Sequence, residues 1–79
     1  MIVEIKVPKW GITMEDAEIA NWFVQEGETV IEGQALAELE TDKTINELTS
    51  PCSGQVISIV ATVGELVVVG QVIARIEAE

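Results

Sequence analysis

Gly27-Glu28-Thr29-Val30-Ile31-Glu32-Gly33-Gln34-Ala35-Leu36-Ala37-Glu38-Leu39-Glu40 aligns without a gap on Gly64-Glu65-Leu66-Val67-Val68-Val69-Gly70-Gln71-Val72-Ile73-Ala74-Arg75-Ile76-Glu77. Seven of the fourteen positions are identical at an offset of 37, where average composition gives roughly one. Shared turn chemistry would account for the glycines, but not for Gln34/Gln71, Ala37/Ala74 and Glu40/Glu77 together. Two copies of one unit in so short a chain imply two halves related by an approximate two-fold axis.

Further upstream the offset becomes 43, pairing Glu4, Pro8 and Gly11 with Glu47, Pro51 and Gly54. The first half therefore holds six extra residues, which the alignment places at Ile12 to Ala17. Val3, Ile5 and Val7 alternate with Ile2, Glu4 and Lys6 as a half-buried strand does. The β-branched run in residues 55–63 favours a strand with Ile57, Ile59 and Ala61 on its inner face. Residues 18–26 fit either a helix or a strand by themselves. The repeat settles them as strand, with Ala20, Trp22 and Val24 facing inward. Likewise Ala35, Ala37 and Leu39 correspond to Val72, Ala74 and Ile76 as inner faces, with Glu38 and Arg75 outside. Glycines at 11, 27, 33, 54, 64 and 70 punctuate the chain at turns and bends. The expectation is an all-β domain spanning residues 1–79: eight short strands in two four-stranded antiparallel sheets, a flattened barrel or sandwich with internal two-fold symmetry.

The chain has 79 residues, fourteen Asp and Glu against four Lys and Arg, no His, no Tyr and one Cys. Folding at this size hides only about 60% of the unfolded surface, which leaves no room for a deep substrate pocket beside the core. A formal net charge of -10 argues against nucleic acid and anionic membrane, both of which reward clustered cations. Without His, and with Cys52 alone, neither a metal cluster nor a Ser/His or Cys/His catalytic set can be assembled. No catalytic residue and no metal ligand is expected. No stretch approaches the ~20 apolar residues of a spanning helix, and residues 1–8 carry Glu4 and Lys6 where a signal peptide needs an apolar core. The expected setting is the cytoplasm of a bacterium or, in a eukaryote, the mitochondrial matrix.

Between the two copies lies Glu40-Thr41-Asp42-Lys43-Thr44-Ile45, a polar stretch flanked by strands that reads as a tight hairpin turn. Lys43 would point from its tip into solvent, away from the chain termini. A surface lysine among carboxylates is ordinarily only solvated and loosely paired. In a symmetric domain lacking catalytic groups, however, a lysine at a hairpin tip suits a carrier. Its amine offers a nucleophile for amide formation, and its four-carbon stem adds reach.

At these residues the sequence resembles the lipoyl domains of the acyltransferase components of 2-oxo acid, or acetoin, dehydrogenase complexes. The resemblance rests on Val7-Pro8-Lys9-Trp10-Gly11-Ile12-Thr13-Met14-Glu15, Gly27-Glu28-Thr29-Val30, Gly33-Gln34, Glu40-Thr41-Asp42-Lys43, Ser50-Pro51-Cys52-Ser53-Gly54 and the second Gly-Glu and Gly-Gln copy. It covers the whole chain. It implies lipoic acid in amide linkage to Lys43, flanked by Glu40, Thr41, Asp42 and Thr44, where Ala is the family's more usual follower. It implies as partners a thiamine-diphosphate decarboxylase that reductively acylates the lipoyl group, an acyltransferase core that passes the acyl group to coenzyme A, and dihydrolipoamide dehydrogenase. A lipoate ligase or lipoyl transferase would attach the cofactor, and the isolated domain is expected to be monomeric. The family's loop beside the lysine turn helps the decarboxylase recognise its own domain, which makes Ile12, Thr13, Met14, Glu15, Asp16 and Ala17 the candidate recognition surface. Two other readings stay open. A biotinyl carrier domain shares this fold, but its usual signature puts Met on both sides of the lysine, where Asp42 and Thr44 stand here. An unmodified acidic interaction module is the third.

Overall fold

The computed structural model describes residues 1–10, 15–42 and 44–79. Its strands are β1 (Ile2–Lys6), β2 (Asp16–Trp22), β3 (Thr29–Val30), β4 (Ala35–Glu40), β5 (Ile45–Thr49), β6 (Gly54–Ile59), β7 (Leu66–Val68) and β8 (Val72–Ala78). They form two four-stranded antiparallel sheets, β1-β8-β6-β3 and β5-β4-β2-β7, and no helix occurs among the described residues. The repeat explains this order. Exchanging β1 with β5, β2 with β6, β3 with β7 and β4 with β8 turns one sheet into the other. Each sheet takes two strands from each half, so neither half can complete a sheet alone.

The core is one set of residues used twice. At an offset of 37, buried Ile19, Val24, Val30, Leu36, Ala37 and Leu39 match buried Val56, Ala61, Val67, Ile73, Ala74 and Ile76; at 43, Ile5 matches Leu48. Val7 is matched by Ser50, also buried, whose hydroxyl donates to the Cys52 carbonyl at 2.6 Å. Cys52 is half-buried against the core. Trp22 of β2 reaches the segment that follows β6, its indole N–H donating to the Ala61 carbonyl at 2.8 Å.

The shared residues outside the core act in turns. The Glu28 carboxylate accepts the Gln25 N–H and Glu65 accepts that of Thr62, both at 3.2 Å. The Gln34 side-chain carbonyl accepts the Ile31 N–H and Gln71 accepts that of Val68, both at 3.1 Å. Gly33 and Gly70 follow at φ +88 and +89, with open space where a Cβ would stand. Gly33→Ala or Gly70→Ala should therefore cost only backbone strain, about 1–2 kcal/mol, read as a lower urea midpoint at unchanged slope.

Three details of the sequence reading are corrected by the strand pairing, two of them through bulges. Ladder register shifts between Ile19 and Asn21 in β2 and, 37 residues later, between Val56 and Ser58 in β6. A one-residue slip exchanges the faces of a strand. Ile19 and Val56 are thus inside, Ala20 is half-buried, and Ile57 is 41% exposed rather than inward; Val24 and Ala61 are buried, and Trp22 and Ile59 pack partly against the core. A second matched pair of shifts, at Ala35/Ala37 against β5 and in β8 where Ile5 pairs with Ala74 and Lys6 with Val72, puts the adjacent residues Leu36-Ala37 and Ile73-Ala74 inside. Ala35 and Val72, expected inside, are half-buried. Finally, Ala17 lies in β2 opposite Val67 as Gly54 lies in β6 opposite Val30. The additional segment of the first half therefore ends at Asp16, before Ala17.

Candidate functional site

The β4–β5 connection closes where the sequence places it. The Thr41 N–H donates to the Thr44 carbonyl at 2.8 Å, and the Thr41 hydroxyl donates to the same oxygen at 3.1 Å. This double tie explains why a polar Thr-Asp-Lys-Thr stretch turns the chain here: β-branched Thr41 satisfies both its donors locally. Thr44 donates its hydroxyl to the Ile45 carbonyl at 3.4 Å. Glu40, Asp42 and Thr44 are exposed and Thr41 is half-buried. Lys43, the predicted attachment residue, lies outside the described residues; its neighbours in sequence, Asp42 and Thr44, are both on the surface. The two termini belong to the other sheet, where the Ala78 N–H donates to the Met1 carbonyl at 2.8 Å and the Met1 amine stands 3.6 Å from Glu77.

Of the predicted recognition loop, Ile12, Thr13 and Met14 lie outside the described residues. Glu15 is exposed and its carbonyl accepts the Val69 N–H at 3.1 Å. Asp16 is exposed at the start of β2. Ala17 is only 2% exposed and belongs to the core, so it offers a partner almost no area. A shallow cleft of about 170 Å³ beside the turn is lined by Asp16, Ala17, Glu18, Glu40, Thr41, Asp42 and Leu66. It joins the end of the recognition segment to the residues flanking Lys43. Glu18 and Leu66 were not singled out by sequence reasoning. They reach the cleft through the β2–β4 and β2–β7 pairings, in which Glu18 stands opposite both Glu40 and Leu66.

Charge is divided unequally between the sheets. The strands of β5-β4-β2-β7 carry Asp16, Glu18, Glu38, Glu40 and Glu47 and no Lys or Arg; those of β1-β8-β6-β3 carry Glu4 and Glu77 balanced by Lys6 and Arg75. Arg75 lies 3.7 Å from Glu4. The strands that flank Lys43 in sequence, β4 and β5, thus both belong to the acidic sheet. Among the described residues no three carboxylate or thiol groups converge as a metal site would require, so this acidity is spread over a face and not focused on a point.

The geometry suits a covalently attached arm: a turn closed by Thr41 onto the Thr44 carbonyl, exposed flanks, and an open cleft at its side. Comparison with known proteins bears on which arm. The Biotin_lipoyl family, described as biotin-requiring enzyme, matches residues 3–76. A dihydrolipoyllysine-residue acetyltransferase component of the pyruvate dehydrogenase complex from Staphylococcus aureus is 40% identical over 78 residues, covering 99% of this chain and 18% of that protein. The Staphylococcus epidermidis counterpart is 38% identical over the same coverage. The chain thus spans about a fifth of the length of these curated relatives. The solution structure of the lipoyl domain of the Azotobacter vinelandii 2-oxoglutarate dehydrogenase complex superposes with a TM-score of 0.80 at 27% identity, covering 98% of this chain and 99% of that one.

Proposed function

Since the chain belongs to the family of biotin- and lipoyl-carrying domains and is a lipoyl carrier domain that is not catalytic alone, we propose that Lys43 is where its lipoate is attached. The observation that carries this reading is the β4–β5 turn, in which Thr41 holds the Thr44 carbonyl across the single lysine of the segment. The bound group would supply the redox and acyl-carrying chemistry, while the domain supplies presentation and recognition. Tethering by a lysine stem keeps the arm at high effective concentration near each enzyme the domain visits.

The pyruvate and 2-oxoglutarate complexes named for the relatives support placing this chain in a 2-oxo acid dehydrogenase complex, within a longer acyltransferase protein. Its partners would be a thiamine-diphosphate decarboxylase that loads the arm, an acyltransferase core that unloads it to coenzyme A, and dihydrolipoamide dehydrogenase that reoxidises it. The test presents the lipoylated domain to several decarboxylase components, each with its own 2-oxo acid or with acetoin. The domain should gain the mass of one acyl group with at least one of them. No acylation by any, with control lipoyl domains acylated in parallel, would refute the reading.

Biotin is the competing cargo. Asp42 and Thr44 on either side of the lysine, in place of the Met pair of the biotinyl signature, favour lipoate, as do relatives named for a dihydrolipoyllysine residue or a lipoyl domain.

A further inference from the structure

We propose that the outer face of the β5-β4-β2-β7 sheet docks the cationic mouth of the enzyme that acylates Lys43, an inference that rests on Lys43 being the modified residue. The face is ordered by strand register. Leu66, Glu18, Glu40 and Ile45 form one transverse row through direct pairings, and Glu38 faces Glu47 in the next. The row crosses three inter-strand spacings, roughly 14 Å. Lys43 lies three residues beyond Glu40, at most about 10 Å along an extended chain. An enzyme whose active site encloses the Lys43 amine must therefore approach within the field of these carboxylates.

Two features distinguish this face from an ordinary solubilising surface. Glu18 opposite Glu40 and Glu38 opposite Glu47 are like-charge cross-strand pairs, which work against folding, and no cation stands in any strand of the sheet to relieve them. Apolar side chains flank the charges: Leu66 is 64% exposed, and Val68 and Ile45 are each 53% exposed. A face whose carboxylates are all of one sign, with exposed apolar side chains beside them, is electrostatically complementary to a partner of opposite sign.

The partner's sign follows from the reaction. A free carboxylate does not acylate an amine in water; its oxygen must first be joined to a good leaving group. With ATP as co-reactant, the carboxylate displaces pyrophosphate to form the acyl adenylate. The Lys43 amine then attacks the acyl carbon, the amide bond forms as AMP leaves, and the surplus amine proton passes to solvent. No electron changes hands. The phosphate of an acyl adenylate is held best by cationic side chains, and such cations near the mouth through which Lys43 enters would meet the carboxylates of this face.

The test compares two double variants that each remove two negative charges. Asp16→Asn/Glu18→Gln lies on the acidic face but outside the lysine segment; Glu4→Gln/Glu77→Gln lies on the opposite sheet. Initial rates with lipoate, ATP and a purified lipoate ligase are followed by intact mass. The first variant should lose about tenfold in kcat/KM at about 20 mM salt, carried by KM, and the gap should close to within about twofold at about 0.5 M salt. The opposite-sheet variant should stay within about twofold of the parent at both. The thermal midpoint of Asp16→Asn/Glu18→Gln should equal or exceed the parent's, since repulsion has been removed. Equal rates for the two variants, or a gap that ignores salt, would overturn the docking face while leaving the lysine assignment intact. If even the parent acquires no adduct, the lysine assignment itself fails and takes the docking face with it.

Discussion

Lys43→Gln is expected to take covalent loading of the domain from complete to nil without moving its stability. Glutamine keeps a polar side chain of similar girth on the turn, but its amide nitrogen has no free lone pair with which to attack an activated acyl group. The turn should survive, because its closing bonds come from the Thr41 N–H and hydroxyl to the Thr44 carbonyl and none requires the lysine amine. A surface change of this kind usually stays within about 0.5 kcal/mol, so the urea curves of the variant and parent should superimpose. The remaining lysines, Lys6 and Lys9, are exposed, yet Lys6 belongs to β1 in the opposite sheet and Lys9 follows it. Replacing either should leave loading complete. An adduct that persists on the Lys43→Gln protein would mean that the turn is not the attachment point.

The largest loss of stability is expected at Gly54, not at the positive-φ turn glycines. A Cβ built there overlaps the Glu77 carbonyl oxygen and stands 2.9 Å from the Ala78 Cα. Both are backbone atoms of β8, which lies between β1 and β6, and they cannot yield without pulling that ladder apart. The neighbouring Gln55–Glu77 pairing and the bond from the Glu79 N–H to the Ser53 carbonyl would be lost with it. Overpacking inside a folded protein typically costs about 1–3 kcal/mol, and an unyielding backbone neighbour places Gly54→Ala at about 3 kcal/mol or more. Small domains sit near the low end of the ~5–15 kcal/mol stability range. Gly54→Ala should therefore lose most of the domain's stability and unfold at a much lower urea midpoint, and Gly54→Val should not fold. Urea titration by Trp fluorescence measures this, because Trp22 packs partly against the core. A Gly54→Ala midpoint no lower than that of Gly33→Ala would show that β6 and β8 can separate cheaply.

The internal repeat made the architecture legible, because matched glycines, matched Glu and Gln side chains at turns and matched apolar positions all specify the same strands twice. The bulges were not legible, for a reason that the symmetry itself supplies. An extra residue in one copy would have shown as a gap, but the shifts near Ala20 and Ile57 fall at equivalent places, so the alignment passes over both and strict alternation puts Ile57 on the wrong face. Ala17 was misjudged differently: sequence similarity aligned Gly11 with Gly54, while strand pairing sets Ala17 in that position. At the site, the turn could be read from Thr41, Asp42, Lys43 and Thr44 because its bonds are local. The acidic face could not, since Glu18 meets Glu40 only through a pairing between strands more than a dozen residues apart.

The most direct measurement is peptide mapping after the chain has been expressed with both a lipoate ligase and a biotin ligase, each cofactor being supplied. Cleavage after glutamate releases residues 41–47 with Lys43 as their only lysine, and residues 5–15 with Lys6 and Lys9. The expected result is a lipoyl group on the first peptide and none on the second. Biotin on residues 41–47, or lipoate on residues 5–15 alone, would contradict the assignment of this domain as a lipoyl carrier acting through Lys43.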